Sequence, residues 1–213
     1  MIKLQGHLPD AFYVAVSGGP DSMAALDFLR KGPTDPFAVF CHHNTEASDK
    51  GYEIVNEYCK EYNVPCTCFF VCKDSKPLKM SQEEYWRNER YKCFTALRLP
   101  VITAHHLDDC VEEYMINTLK RGRLGVIPYR NQNVFRPFRL TSKSDFITWC
   151  VNKDVPFIID DSNINNAFLR PNIRDLRVEV ESFINLGLTK MVRKMILKDD
   201  QNDYNMPSCI LCL

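Results

Sequence analysis

Four short apolar runs, FYVAV (12–16), FAVFC (37–41), CTCFFVC (66–72) and VITA (101–104), alternate with amphipathic helical patterns over residues 22–31, 50–62 and 81–97. A strand covered on both faces reads as an unbroken apolar run, and the helix after it returns the chain to start the next strand in the same direction. This order predicts an α/β fold: a doubly wound, Rossmann-like parallel sheet with right-handed crossovers and helices on both faces. Gly32-Pro33 stops the first helix. After Gly122 the alternation loosens into a Pro- and Arg-containing segment. One helix is expected over 142–154, a strand at PFII (156–159) and a last helical stretch over 171–198, giving the sheet a short helical C-terminal extension. Residues 199–213 read as a poorly ordered tail.

A chain of 213 residues suffices for one such domain with a sizeable core and an appendage. No apolar run approaches the roughly 20 residues of a membrane-spanning helix. The opening MIKLQGHLPDAF has neither the apolar stretch nor the cleavage pattern of a secretory signal, so a cytoplasmic protein with no membrane contact is expected. In that reducing setting most of the ten cysteines, single within strand-like or helix-like runs, are expected as small buried hydrophobes. The 27 basic and 27 acidic side chains cancel, yet residues 120–143 hold seven Lys/Arg and no Asp or Glu, with Tyr129, Phe135 and Phe138 interleaved. That run predicts a local basic surface for a phosphate-rich partner, because charge acts over only about 8–10 Å in physiological salt.

Loops at the carboxyl ends of parallel strands hold ligands, since helix N-termini there point free N–H groups into the crevice. SGGPDS follows the first strand, HHNTE the second and HHLDD the fourth. In the first loop, Gly18 and Gly19 let the backbone approach an anion closely, and Ser17 and Ser22 add hydroxyl donors. Asp21 would repel a phosphate directly, so its natural task beside one is to hold a divalent cation such as Mg²⁺. The spacing is neither that of the GxxxxGKS loop nor that of GxGxxG. In AHHLDDCVEE, Asp109 and Glu112 stand three apart at a helix start and project the same way, which suits a cationic substrate or a second metal contact. His105 and His106 have no Cys/His set at zinc spacing around them.

VAVSGGPDS resembles the SGGxDS signature of the PP-loop ATP pyrophosphatases, and that likeness implies a PP-loop, HUP-type nucleotide-binding form of the fold, with Ser17, Gly18, Gly19, Pro20, Asp21 and Ser22 at the nucleotide. Three further motifs follow in order. Glu83, Arg87, Arg90 and Tyr91 match an ExxxR..RY pattern, Ala104 to Glu112 match AHHxDDxxE, and DDSNINNAFLRPNIR (160–174) is similar to a DxSN segment with an RNxxR helix start. Together they resemble the catalytic domain of the tRNA isoleucine lysidine synthetase family over residues 12–180.

The resemblance implies an ATP- and Mg²⁺-dependent ligase that adenylates the wobble cytidine of a CAU-anticodon tRNA(Ile) and lets the ε-amine of free lysine displace AMP. It implies a catalytic ATP-binding region over 1–140, a helical completion and linker helix over 141–198, and the tail. Asp21 would hold the metal, and Asp109 and Glu112 the lysine ammonium. Arg87 would steady phosphate or the adenylated intermediate, and Arg121, Arg170 and Arg174 would contact phosphate or tRNA, with aromatics of the basic run offered to a splayed base. The chain departs from the family pattern at Phe40 and Asn44 (HxxHG), at Cys110 and Glu113 (DDQxET) and at Pro171 (RNxxR). It also stops where members continue, leaving tRNA recognition to the catalytic domain, its basic segments, a partner or a homodimer. Alternatives are a related tRNA thiolase, suggested by the Cys209/Cys212 CxxC, and a tRNA-binding protein without turnover.

Overall fold

The computed structural model describes residues 1–72, 76–159, 169–184, 186–203 and 211–212. The chain runs β1 (Lys3–Leu4), β2 (Tyr13–Val16), α1 (Pro20–Arg30), β3 (Phe37–His42), α2 (Glu46–Glu61), β4 (Cys66–Phe70), α3 (Gln82–Ala96) and β5 (Val101–Ile102). It continues through α4 (Leu107–Arg121), β6 (Arg130–Asn131), β7 (Val134–Phe135), α5 (Lys143–Asn152), α6 (Leu169–Phe183), α7 (Gly187–Asp203) and β8 (Leu211–Cys212).

The main sheet has the order β4-β3-β2-β5-β7-β6 and is parallel except for β6, which turns back antiparallel to β7. From β2 the chain builds outward to β3 and β4, then returns to β5 on the other side of β2. The strand order therefore reverses between β2 and β5, and a ligand crevice belongs at the carboxyl ends of these two strands. Helix starts are set by local chemistry. Thr45 caps α2 by accepting the Ser48 N–H, and Ser81 caps α3 by accepting the Glu84 N–H. His106 with Asp109, and Ser142 with Asp145, form reciprocal caps on α4 and α5.

The core gathers Phe12, Val14, Met23, Leu26 and Phe28 with Ala38, Val55, Phe138 and Phe146, each no more than 2% exposed. Each large apolar side chain so buried contributes roughly 1.5–3 kcal/mol. A second cluster packs α4 against α7 through Val111, Val192 and Ile196. A buried carboxylate ties three helices together. The Asp27 carboxylate, 1% exposed, accepts from Arg30 (2.8 Å), Lys31 (2.6 Å), the Tyr58 hydroxyl (2.6 Å) and the Trp149 indole N–H (2.8 Å), joining α1, α2 and α5.

Four expectations are corrected. PFII is not a strand: it has no strand neighbour, and the Ile158 N–H instead donates to the Gly18 carbonyl at 2.9 Å, docking the segment on the glycine loop. The last helical stretch is two helices, broken where Leu186 takes φ 58°. Of the tail, the described parts have regular structure, 199–203 extending α7 and β8 pairing antiparallel to β1, while the rest lies outside the described residues. The basic run is not a continuous surface. Arg136 and Arg139 are 2% and 0% exposed, and Tyr129, Phe135 and Phe138 are core residues, because β7 enters the sheet between β5 and β6. Those aromatics are unavailable to stack on a base. Single cysteines do behave as buried hydrophobes at Cys59, Cys110 and Cys150.

Candidate functional site

The loop between β2 and α1 is self-braced. The Ser17 N–H donates to Ser22 Oγ (3.1 Å), the Ser22 hydroxyl donates to the Gly19 carbonyl (3.0 Å), and the two hydroxyls lie 3.2 Å apart. Pro20 occupies the first turn of α1 with its φ preset, and Gly19 caps the helix without a side-chain bond, so its first N–H groups face the crevice unspent on side chains. Gly18 has φ 82°, and a Cβ there would meet Gly51 Cα at 2.7 Å. The close approach is mutual, since a Cβ on Gly51 would lie 2.6 Å from the Ser17 carbonyl oxygen. Gly51 was missed by sequence reasoning, although a lone glycine inside a helical pattern is a signal of close packing. Gly51→Ala is expected to push α2 off the loop, costing about 1–3 kcal/mol in urea unfolding and weakening nucleotide binding.

Asp21, in the first turn of α1, has one carboxylate oxygen, Oδ1, shielded from water and without a hydrogen-bond partner. Its Oδ2 lies 3.6 Å from His106 Nε2, reached from the β5–α4 loop across the crevice. A shielded, unsatisfied carboxylate oxygen beside a loop shaped for phosphate suits a divalent cation that takes its other ligands from phosphate and water. No cluster of three or more His, Cys, Asp or Glu side chains able to hold a metal by themselves occurs among the described residues.

His106 joins the two loops. Its Nδ1 accepts the Asp109 N–H (3.2 Å), and Asp109 Oδ2 accepts the His106 N–H (3.0 Å). Its Nε2 also lies 3.5 Å from Asp109 Oδ2. Burial alone would strip the ring of its proton, but Asp109, Asp21 and Asp108 outweigh burial and raise its pKa to about 9. The capping bond needs a bare Nδ1, so it opposes full protonation and fixes Nε2 as the nitrogen that keeps its hydrogen. His105 is different: burial pulls it down to about 3, and this neutral ring bonds Thr103 Oγ1 at 2.7 Å.

Helix α6 closes over these acids. Arg174 holds both oxygens of Glu112 (2.8 and 3.3 Å), and Arg177 holds Asp108 at 2.6 Å. Glu112, 1% exposed, is therefore neutralised by a guanidinium, while Asp109 stays at the crevice. The carboxylates expected to act as a pair have separate surroundings. Arg174, expected at phosphate or tRNA, has its charge met by Glu112. Arg121 is exposed and bonds Asn117 Oδ1 (2.7 Å) and Glu113 (3.3 Å). Arg170 lies in α6, but its side chain, like the whole 160–168 segment with its DDSN motif, is outside the described residues, as is Cys209.

Exposed Arg87 lies over the Tyr91 ring (5.2 Å), and Tyr91 accepts from Arg136 at 2.8 Å. Arg87, His105, Glu113, Asn117 and Arg136 line a cavity of about 150 Å³. A larger open groove of about 400 Å³ at Cys59, Asn63 and Cys66 lies at the amino end of β4, away from the crevice. The HHN loop places His43 against Trp86, ring centroids 5.0 Å apart, with the His43 pKa pulled down to about 4 by burial and by Arg90. Asn44, standing where the family pattern has glycine, takes φ 54°, a left-handed conformation that asparagine tolerates.

The comparisons with known proteins agree with this geometry. The family model described as PP-loop domain matches residues 3–180. The tRNA(Ile)-lysidine synthase of Haemophilus ducreyi is 29% identical over 81% of this chain and 43% of its own length. That of Malacoplasma penetrans is 30% identical over 79% and 61%. The chain thus spans about half the length of these curated relatives. Among solved structures, the U34-tRNA thiolase NcsA of Methanococcus maripaludis matches with a TM-score of 0.72 at 14% identity, covering 89% of this chain and 72% of that one, a likeness of fold. With the glycine loop at the strand-order reversal and the family model spanning most of its length, this chain belongs to the PP-loop family.

Proposed function

We propose that the chain carries an ATP-dependent ligase activity that adenylates the wobble cytidine of a CAU-anticodon tRNA(Ile) and attaches lysine to it, releasing pyrophosphate and AMP. One observation carries the reading: Asp21 of the phosphate loop and Asp109 of α4 come within 3.6 and 3.5 Å of the same His106 nitrogen. A nucleotide-metal position and an anionic position for an amine thereby share one crevice. The names of the relatives supply the substrate class.

In this reading the N–H groups of the 17–22 loop and the α1 N-terminus receive the phosphates. Mg²⁺, held by Asp21, would draw off negative charge as pyrophosphate leaves. Arg87, at the crevice rim, steadies the transferred phosphoryl group. Asp109 attracts the lysine ε-ammonium, holds it near the activated base and accepts its proton before attack. Glu112 acts through Arg174, which it holds beside Asp21 and Asp109, near enough for both acids to raise its pKa. Exposed Lys120, Arg121, Arg123 and Arg130, with Arg193 and Lys194 on α7, offer phosphate contacts for the RNA. The thiolase alternative rests on Cys209 and Cys212, the first of which lies outside the described residues.

With ATP, Mg²⁺, labelled lysine and a CAU-anticodon transcript, label is expected in the RNA with one AMP formed per lysine. ATP cleavage with no lysine in the RNA would overturn the reading and point to another nucleophile.

A further inference from the structure

Two thiols remote from the crevice meet where α2 hands over to β4. Asn63 takes φ 54° after the helix, which reverses the chain and returns the Val64 N–H to the Cys59 carbonyl at 2.8 Å. Cys59, in the last turn of α2, and Cys66, the first residue of the edge strand β4, thereby line the same open groove of about 400 Å³ with Lys60 and Asn63.

Their surroundings are unequal. Cys59 is 3% exposed, whereas Cys66 is half-buried and open to the groove. The Cys59 thiol donates its hydrogen to the Cys66 sulfur; this bond holds the Cys66 pKa below its ordinary value against the opposing pull of burial, and it raises that of Cys59. The accessible sulfur is thus the readier thiolate and the shielded one its neighbour, the arrangement of an attacking and a resolving cysteine. A second contact, Cys41 with Cys93, lies on the other face of the sheet, and there burial raises both pKa values. Cys68, two residues along β4 on the same face as Cys66, is pushed up to about 11 by burial and by Cys66.

We propose that Cys66 and Cys59 form a reversible oxidation site for hydrogen peroxide, closing a disulfide between α2 and β4 that disturbs the phosphate loop. The Cys66 thiolate attacks one peroxide oxygen, the O–O bond breaks, and hydroxide leaves to take up the proton that Cys66 had released. The Cys59 sulfur then attacks the Cys66 sulfenic acid, the S–O bond breaks, and that hydroxide departs as water with the Cys59 proton. Two thiols lose two electrons and two protons, and one peroxide becomes two waters; a small dithiol reverses the change. An S–S bond of roughly 2.05 Å is shorter than a thiol hydrogen bond, so closure draws the end of α2 toward β4. Gly51 stands about 12 Å back along the helix axis. It has no slack against the loop, since its Cβ would lie 2.6 Å from the Ser17 carbonyl oxygen and that of Gly18 2.7 Å from Gly51 Cα. A close-packed helix carries the displacement to that contact. The coupling rests on the nucleotide reading of the 17–22 loop; the disulfide does not.

The test maps disulfides by mass spectrometry in the intact chain after peroxide treatment, with ATP affinity measured by calorimetry before and after. A Cys59–Cys66 disulfide is expected first, at least about 10-fold faster than any Cys41–Cys93 bond, since the thiolate fraction changes tenfold per pKa unit. Dithiothreitol should remove it. Oxidation should weaken ATP binding about 10-fold, and reduction should restore it. Cys59→Ala should halt at a Cys66 sulfenic acid, captured by dimedone, and Cys66→Ser should give no product at this site. Both variants should bind ATP as the reduced parent does and keep that affinity in peroxide. Oxidation of other thiols ahead of this pair, or a disulfide that leaves ATP affinity unchanged, would overturn the proposal. A chain that forms the disulfide but binds no ATP even when reduced would uphold the oxidation site and sink the nucleotide reading instead.

Discussion

Asp21→Asn is expected to abolish pyrophosphate release, lowering the rate by at least roughly 10²–10³-fold, while the protein unfolds at nearly the same urea concentration as its parent. The reason is the unequal use of its two oxygens. Oδ2 lies 3.6 Å from His106, but Oδ1 is shielded and makes no hydrogen bond. A carboxylate kept in that condition contributes little to the fold and much to a bound cation. Asparagine has the same shape and no charge, so the loop braced by Ser17 and Ser22 should persist. The checking measurement is pyrophosphate release at several Mg²⁺ concentrations. A variant with full activity would remove Asp21 from the nucleotide chemistry.

Asp27→Ala should have the largest effect on stability, about 3 kcal/mol or more, because it strands buried donors that now converge on one carboxylate. For a chain of this size that corresponds to a fall of roughly 6–12 °C in Tm. Burial pushes the Asp27 pKa up, but its bonds from Lys31, Tyr58 and Trp149 prevail and hold it below the ordinary carboxylate value. Its stabilisation is thus present above the unfolded pKa of about 3.9 and is lost only as pH falls through the lower folded value. Urea unfolding should show the full difference between parent and variant at pH 7 and a shrinking one below pH 4. An equal difference at pH 7 and pH 2.5 would mean that packing, and not charge, carries the effect.

The sheet was legible because parallel strands are buried on both faces, so FYVAV and FAVFC carry their environment in their composition. The glycine loop was legible because close backbone approach demands glycine at Gly18. What local reading lacked was partnership across the chain. Glu112 and Asp109 look alike at a helix start, and only a residue 62 positions away, Arg174, separates their roles. Arg136 and Arg139 read as surface because charge is taken for exposure, whereas here the segment that leaves β7 carries them inward. PFII has the composition of a strand and lacks a neighbour to pair with. It was docked instead by a single bond to Gly18, which no pattern of its own residues encodes.

The relation between Asp21 and Asp109 also explains why metal-ligand spacing was uninformative. The two acids stand in the first turns of the helices that follow β2 and β5, strands adjacent in the sheet although separated in sequence by β3, α2, β4 and α3. Their meeting at His106 is a product of the strand order, and it makes one crevice out of a phosphate site and an amine site.

The most direct test of that shared crevice is the chemical identity of the wobble nucleoside after reaction. A CAU-anticodon tRNA(Ile) incubated with the chain, ATP, Mg²⁺ and lysine would be digested and its nucleosides weighed. The account predicts a cytidine bearing one lysine, joined through the ε-amine, at the wobble position and nowhere else. Cytidine left unchanged while ATP is converted to AMP, or a sulfur-bearing nucleoside in its place, would contradict it.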